Sequence, residues 1–308
     1  MLRYFIRRLL VAIPTLLVIV TAAFFLMRVA PGGPFDGERR LPPEVEQNLL
    51  RAYKLDQPLY RQYGDYLNML AHGDLGPSFK QKDFSVNELI VAGAPVSMTI
   101  GAIALLSAVL IGISLGTWAA LRARSLADNL VMSVALLGIA LPPFVVAPLL
   151  VLCFAIALRW LPAAGWQGFS PSHLLLPCIA LAAPYVAAIA RLTRGSVLDV
   201  LAAPFVRTAR AKGLSARRLL WRHVLPAALP PVVSFIGPAT ATLETGSVVV
   251  EQVFQVPGIG RDFVQGALAR DYTLVMGVVV LYAALIISMN LLVDMLYARL
   301  DPRVSYSQ

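Results

Sequence analysis

PVSMTIGAIALLSAVLIGISLGTWAAL, the stretch from Pro95 to Leu121, holds no ionisable side chain. A helix needs about 20 apolar residues to cross a hydrocarbon core about 30 Å thick, and this run is long enough. Lipid offers no partner to a free N–H or C=O, so such a run has to be helical. Five more stretches of this kind lie around it: Leu9 to Met27, Leu130 to Leu158, Leu174 to Ala190, Ala227 to Val250, and Tyr272 to Val293. The third contains Pro142, Pro143 and Pro148, which predict a kink or a break. Within these six runs only the fifth carries an ionisable residue, Glu244. The expected fold is all-α, with six transmembrane helices.

Composition agrees. Of 308 residues 58% are hydrophobic and 14% are charged, too little polar surface to keep a globular domain in solution. Arg3, Arg7 and Arg8 precede the first run, as they would in a signal peptide. That run exceeds the 7–15 apolar residues, roughly, of a signal core, and Leu26-Met27-Arg28 is a poor cleavage site, so a retained anchor is expected.

Charge predicts the orientation. The segment between the fourth and fifth runs holds Arg191, Arg194, Arg207, Arg210, Lys212, Arg217, Arg218 and Arg222 against a single acid, Asp199. Arg122 and Arg124 fall on the same side, as do the N-terminal arginines, Arg299 and Arg303. The loop from Pro31 to Ala94 is slightly acidic. The positive-inside rule then places both termini in the cytoplasm. It also accounts for the net charge of +9 without nucleic acid as a partner.

Both long loops have structure of their own. In the 31–94 subdomain, Pro42-Pro43 and Pro58 can each begin a helix. Val45, Leu49 and Tyr53 share one face of the first; Leu59, Tyr63, Tyr66, Leu67 and Leu70 share one side of the second. Gly73-Asp74-Leu75-Gly76-Pro77 reads as a turn. The subdomain is a cap packed on the span ends, a docking surface, or both at once. In the 194–226 loop, Pro204 suits the first turn of a helix whose Phe205, Ala209 and Gly213 share a face. Gly213 can end that helix in a left-handed conformation, and Ser215 can cap a second one that ends at Leu225-Pro226. On physics alone this is a basic helix lying among anionic headgroups or an element gripped by another protein.

The run from Arg207 to Pro226 resembles the EAA loop of binding-protein-dependent ABC transporter permeases. Ala209, Gly213, Leu225 and Pro226 match that pattern, while Arg207, Thr208 and His223 depart from it. The variant Arg207-Thr208-Ala209-Arg210-Ala211-Lys212-Gly213 is the form carried by the peptide and nickel branch. Leu55-Asp56-Gln57-Pro58-Leu59, Gly73 to Phe79, Gly246 to Glu251 and Pro257-Gly258-Ile259-Gly260 are similar to that branch as well. Within it, Ala30 to Phe35, Gly37-Glu38-Arg39, Leu41 to Val45 and Ala71 to Asp74 look like the oligopeptide type. The likeness covers nearly the whole chain, which is then one permease domain, 1–308, of the type I importer fold.

The resemblance implies half of a channel: this chain paired with a second, homologous permease in the membrane lipid. Two cytoplasmic ATP-binding subunits would grip the inner loops, and an extracytoplasmic binding protein would deliver the peptide substrate. The coupling residues it implies are Arg207, Thr208, Ala209, Arg210, Ala211, Lys212, Gly213, Leu214, Leu225 and Pro226. It leaves dipeptides, glutathione or nickel as alternative cargo. An ion-coupled carrier is the competing class, and six spans with no evident internal repeat fit it poorly.

No chemistry of its own is expected. The chain has no phosphate-binding Gly-x-x-x-x-Gly-Lys-[Ser/Thr] loop, and His72, His173 and His223 are scattered, so no metal or other cofactor is predicted. Cys153 and Cys178 read as buried small hydrophobes. Glu244 either lines the substrate path or makes a helix–helix hydrogen bond.

Overall fold

The computed structural model describes residues 2–29, 33, 35, 42–81 and 83–300. Among these it describes every side chain except those of 2–9, 46, 241, 244–246, 293–294 and 296–300. The Gly37-Glu38-Arg39 signature, most of Ala30 to Phe35, and Arg303 lie outside the described residues.

The chain opens with α1 (Leu2–Val29), followed by the short helices α2 (Pro43–Ala52) and α3 (Leu59–Ala71). Next comes α4 (Val86–Leu121), which begins well before Pro95. A reciprocal cap sets its start: Ser85 Oγ accepts from the Glu88 N–H at 3.2 Å, and Glu88 Oε2 accepts from the Ser85 N–H at 2.8 Å. With 36 residues α4 is about 54 Å long and reaches past the hydrocarbon at its ends.

The third apolar run is not one rod. Helix α5 (Leu126–Ala140) stops at Leu141, and α6 (Pro143–Leu150) continues as a wide π turn, Val151–Ala157. The two halves meet at 108°, far more than a kink. Leu141 is extended (φ −90°, ψ 115°), as a residue before proline prefers, and Pro142-Pro143 removes two successive donors. Cys153, expected to be buried, is exposed on the π turn, whereas Cys178 is buried.

Helix α7 (Pro171–Ala202) continues past the end of the uncharged run at Ala190, through Arg191 and Arg194. It leads to α8 (Pro204–Ala211), α9 (Ala216–Leu219), a π turn at Leu220–Val224 and α10 (Leu225–Ala228). The chain then bends by 51° into α11 (Pro230–Phe254). Helices α12 (Ile259–Ala269) and α13 (Tyr272–Leu300) complete it. Among the described residues four helices are long and apolar enough to span a membrane, or six if each bent pair is one span.

The bundle is built on α4 against α7. Ala104, Ala108, Gly112, Gly116 and Ala120 recur every fourth residue of α4, and all are buried. This stripe of small residues lets the backbones approach closely, the usual means of packing where lipid removes a hydrophobic drive between helices. A Cβ at Gly112 would lie 2.8 Å from the Ile189 side chain, and one at Gly116 would strike the Ala190 carbonyl. Ile100, Leu181, Ile189 and Leu243 fill the adjoining core, which brings α11 against the pair.

Helix α4 also separates two ends. At its start, α2, α3 and the 73–85 turn form a cap. Tyr63 bonds Thr21 Oγ1 at 2.6 Å, and its ring lies tilted 5.3 Å from that of Phe24, which ties α3 to α1. Asp271, 1% exposed, accepts from the Ser78 hydroxyl, from the Phe79 N–H at 3.1 Å and from the Lys80 N–H at 3.2 Å. It also accepts from the Leu274 N–H at 3.2 Å, so one carboxylate caps α13 and holds the turn. Packing is thus part of what the cap does. At the far end of α4 sit the 122–125 turn and the basic loop.

Candidate functional site

The basic loop starts as its sequence predicts. Ala203 is extended (ψ 146°), Pro204 opens α8, and Thr208 Oγ1 donates back to the Pro204 carbonyl at 3.2 Å. The helix closes on Gly213, which has φ +77°. The Gly213 N–H bonds the Arg210 carbonyl at 2.9 Å, and the Leu214 N–H reaches the Ala209 carbonyl at 3.3 Å. This crossed pair is a Schellman closure, and it needs a left-handed residue at Gly213.

The faces differ from expectation. Val206 (0% exposed) and Ala209 (8%) form the buried stripe, and Phe205 stands out at 47%. An eight-residue helix ends before an i, i+4, i+8 stripe can reach Gly213, so i, i+3 packing prevails. Val206 and Ala209 join Ala120 of α4, Val197 of α7, and Leu219, Val224, Leu225 and Ala228 of the returning chain. Leu214 packs against the same cluster. Arg207, Thr208, Arg210, Ala211, Lys212 and Gly213 are exposed on the other side. The candidate residues therefore divide: Ala209, Leu214 and Leu225 anchor the loop, Pro226 is exposed within α10, and the rest form a free basic face.

The second helix also differs. Ser215 has cap geometry (φ −63°, ψ 146°), yet its side chain makes no capping bond. The helix does not end at Leu225-Pro226 but widens into the π turn, which absorbs the donor that Pro226 lacks, and runs to Ala228. Trp221, 66% exposed, stands beside Arg217 and Arg218.

In the sequence Arg194 is one of the loop's positive charges and nothing more. Its Nε and Nη2 donate to the two carboxylate oxygens of Asp128 at 2.5 and 2.7 Å. Asp128 is 1% exposed and also accepts from the Arg124 N–H at 2.9 Å. This pair clamps the start of α5 and the 122–125 turn onto the last third of α7. Asp128→Asn leaves the guanidinium without its counter-charge and is expected to cost about 2–3 kcal/mol. Thermal unfolding of the solubilised complex would show it, and adding Arg194→Gln should recover part of the loss. A double variant as unstable as the single one would rule out the clamp.

At the cap end of α11 lies a second acid, one residue beyond the apolar run that ends at Val250. Glu251 is 0% exposed, and its Oε2 accepts from the Arg261 N–H at 3.2 Å. The Gly260 N–H and the Ser97 and Ser247 hydroxyls donate to the same carboxylate. Ser97 in turn accepts from the Ile259 N–H at 2.9 Å. Glu244 lies seven residues earlier on α11, about 10 Å along the axis, and its side chain falls outside those described. Among the described residues no group of three or more His, Cys, Asp or Glu could hold a metal ion.

The comparisons with known proteins cover almost every residue. Residues 112–306 match the family described as binding-protein-dependent transport system inner membrane component, and residues 1–100 match its N-terminal region. The oligopeptide transport system permease protein OppB of Salmonella typhimurium is 53% identical, over 99% of this chain and all of that protein. OppB of Haemophilus influenzae is 50% identical over the same shares. The dipeptide transport system permease protein DppB of Bacillus subtilis is 45% identical, over 99% of this chain and 98% of that one. Among solved structures, an inward-facing form of the MetNI methionine ABC transporter superposes with TM-score 0.59. It is 17% identical, covering 69% of this chain and 96% of that one, so it supports the fold alone. An all-α, multi-pass chain matched by both family regions and by full-length permeases at 45% identity and above belongs to the family of binding-protein-dependent transport system inner membrane components.

Proposed function

We propose that this chain is one permease subunit of an ATP-driven importer of oligopeptides. It pairs with a second, homologous permease, and the two line a path for the peptide. Two ATP-binding subunits on the cytoplasmic side hold one basic loop each and carry out the hydrolysis. An extracytoplasmic binding protein delivers the peptide to the capped end, with both termini of this chain in the cytoplasm. Dipeptides, glutathione or nickel are the alternative cargoes within the same mechanism.

One observation carries the reading: α8 is buried through Val206 and Ala209 yet presents a free face of Phe205, Arg207, Arg210 and Lys212. A helix merely resting among headgroups needs no packed underside. One packed on the ends of α4 and α7 moves with them, so a partner that displaces α8 displaces the spans. A ligand shifts such an equilibrium only by its different affinity for the two conformers, so loaded binding protein and closed ATPases must favour the same one.

Uptake into proteoliposomes tests it. Peptide accumulation is expected to require the ATP-binding subunits, the binding protein and internal ATP together. Accumulation driven by a proton or sodium gradient without those subunits would instead establish an ion-coupled carrier. In the same vesicles Glu244→Gln should slow uptake of basic peptides more than neutral ones if Glu244 lines the path; equal rates would leave it a helix–helix contact.

A further inference from the structure

A cavity of about 320 Å³ opens in the cap, between the end of α1, the α2–α3 pair, the Leu75–Phe79 turn and the start of α13. That is the size of a small-molecule site. Its lining mixes aromatic rings with opposite charges. Tyr53 and Phe79 meet edge to face at 4.8 Å. Phe24 and Tyr272 lie 4.7 and 5.7 Å from the Arg28 guanidinium carbon.

Arg28 is placed rather than loose. Its Nε donates to Gln62 Oε1 at 3.1 Å, and Gln62 is fixed by donating to the carbonyls of Leu55 and Gln57 at 3.0 and 2.7 Å. Among the described residues no carboxylate lies within ion-pair reach of it. A half-buried guanidinium facing two rings recovers part of its lost hydration, and an anion in the cavity would supply the rest. Asp65 lines the same cavity, 3.7 Å from Lys54. Both side chains are more than half exposed, so that pair is weak and Asp65 is free to exchange Lys54 for another cation.

We propose that this cavity binds a small zwitterion with an apolar side chain. Its carboxylate would sit on Arg28, its ammonium on Asp65, and its side chain against Tyr53 and Phe79. A free amino acid or a short peptide has this chemistry; choosing the peptide rests on the import reading, but the site does not. Lys54 lines the cavity too, so its lining carries one net positive charge. A plain anion would answer Arg28 alone, whereas a zwitterion also offers Asp65 a closer cation than Lys54 at 3.7 Å.

The test uses the permease–ATPase complex in phosphatidylcholine nanodiscs without binding protein. Labelled alanyl-phenylalanine is the probe, in equilibrium dialysis. One saturable site per complex is expected, weakened about tenfold or more by Arg28→Gln and by Asp65→Asn. The Arg28→Gln loss should vanish for the C-terminal amide, and the Asp65→Asn loss for the N-acetylated dipeptide. Wild-type melting temperatures would show that both variants fold. Absence of saturable binding, or equal weakening whichever ligand group is blocked, would overturn the site. Displacement of the probe by phosphatidylglycerol alone would reassign the cavity to lipid and overturn it too. Uptake measured separately with loaded binding protein and ATP keeps the readings apart: binding without uptake sinks import, and uptake without binding sinks this site.

Discussion

A reconstituted complex carrying Gly213→Trp is expected to lose the rise in ATP hydrolysis that peptide-loaded binding protein induces, along with uptake, while Gly213→Asn keeps most of both. Gly213 has φ +77°, a conformation that costs an ordinary L-residue about 1–2 kcal/mol and costs asparagine less. Nothing lies within 4 Å of a Cβ built there, so a side chain at 213 starts into open space. The variant should therefore fold, held by Val206, Ala209 and Leu225 in the cluster beneath α8. What changes is the free side: an indole projects from the end of the basic face, where an ATPase groove would have to close on Ala211, Lys212 and Gly213. Hydrolysis measured with and without loaded binding protein separates the two effects. If Gly213→Trp responds as the native chain does, α8 is a headgroup-facing helix and the coupling assignment fails. If Gly213→Asn is lost equally, the closure of the helix matters and the contact does not.

What the sequence carried, and what it withheld, follows from the range of each interaction. The spans, the start of α8 at Pro204 and its end at Gly213 were legible because each rests on neighbours within a few residues. The same holds for α2 and α3, which begin after Pro42 and Pro58 as expected. The small-residue stripe from Ala104 to Ala120 was equally local and could have been read from its period of four; it names the face that meets α7. The 108° elbow was legible only as a break, because the angle depends on what α5 and α6 each pack against. Polar pairings were the least visible. Arg194 meets Asp128 from 66 positions away, and Asp271 meets Ser78 from 193. Nothing in the local pattern distinguishes such an arginine from those that face solvent. In the basic loop the misplacement of Phe205 had a simpler cause: eight residues give too few turns for periodicity to choose between i+3 and i+4.

Glu251→Ala is expected to destabilise the chain by about 4 kcal/mol, more than the loss of Asp128, because of what it leaves behind. Its carboxylate gathers the first N–H groups of α12, from Gly260 and Arg261, with the hydroxyls of Ser97 and Ser247. A helix start is the place where free N–H groups and the helix dipole favour a negative group. Each donor stranded in a dry site costs about 1–3 kcal/mol. The two glycines of Pro257-Gly258-Ile259-Gly260 exist for this approach: a Cβ at Gly258 would strike the Glu251 carboxylate, and one at Gly260 would strike Val248. The node joins α4, α11 and α12, so its loss should loosen the capped end and leave the basic loop in place. Glu251→Gln keeps the volume and one acceptor oxygen and should lose about half as much. Glu251 Oε1 makes no hydrogen bond, so the amide nitrogen can take that place without displacing a donor. Thermal unfolding of the purified complex, with protease cutting at 255–258 as a local probe, would measure the series. Equal stability of Glu251→Ala and the native chain would mean that the carboxylate only fills space.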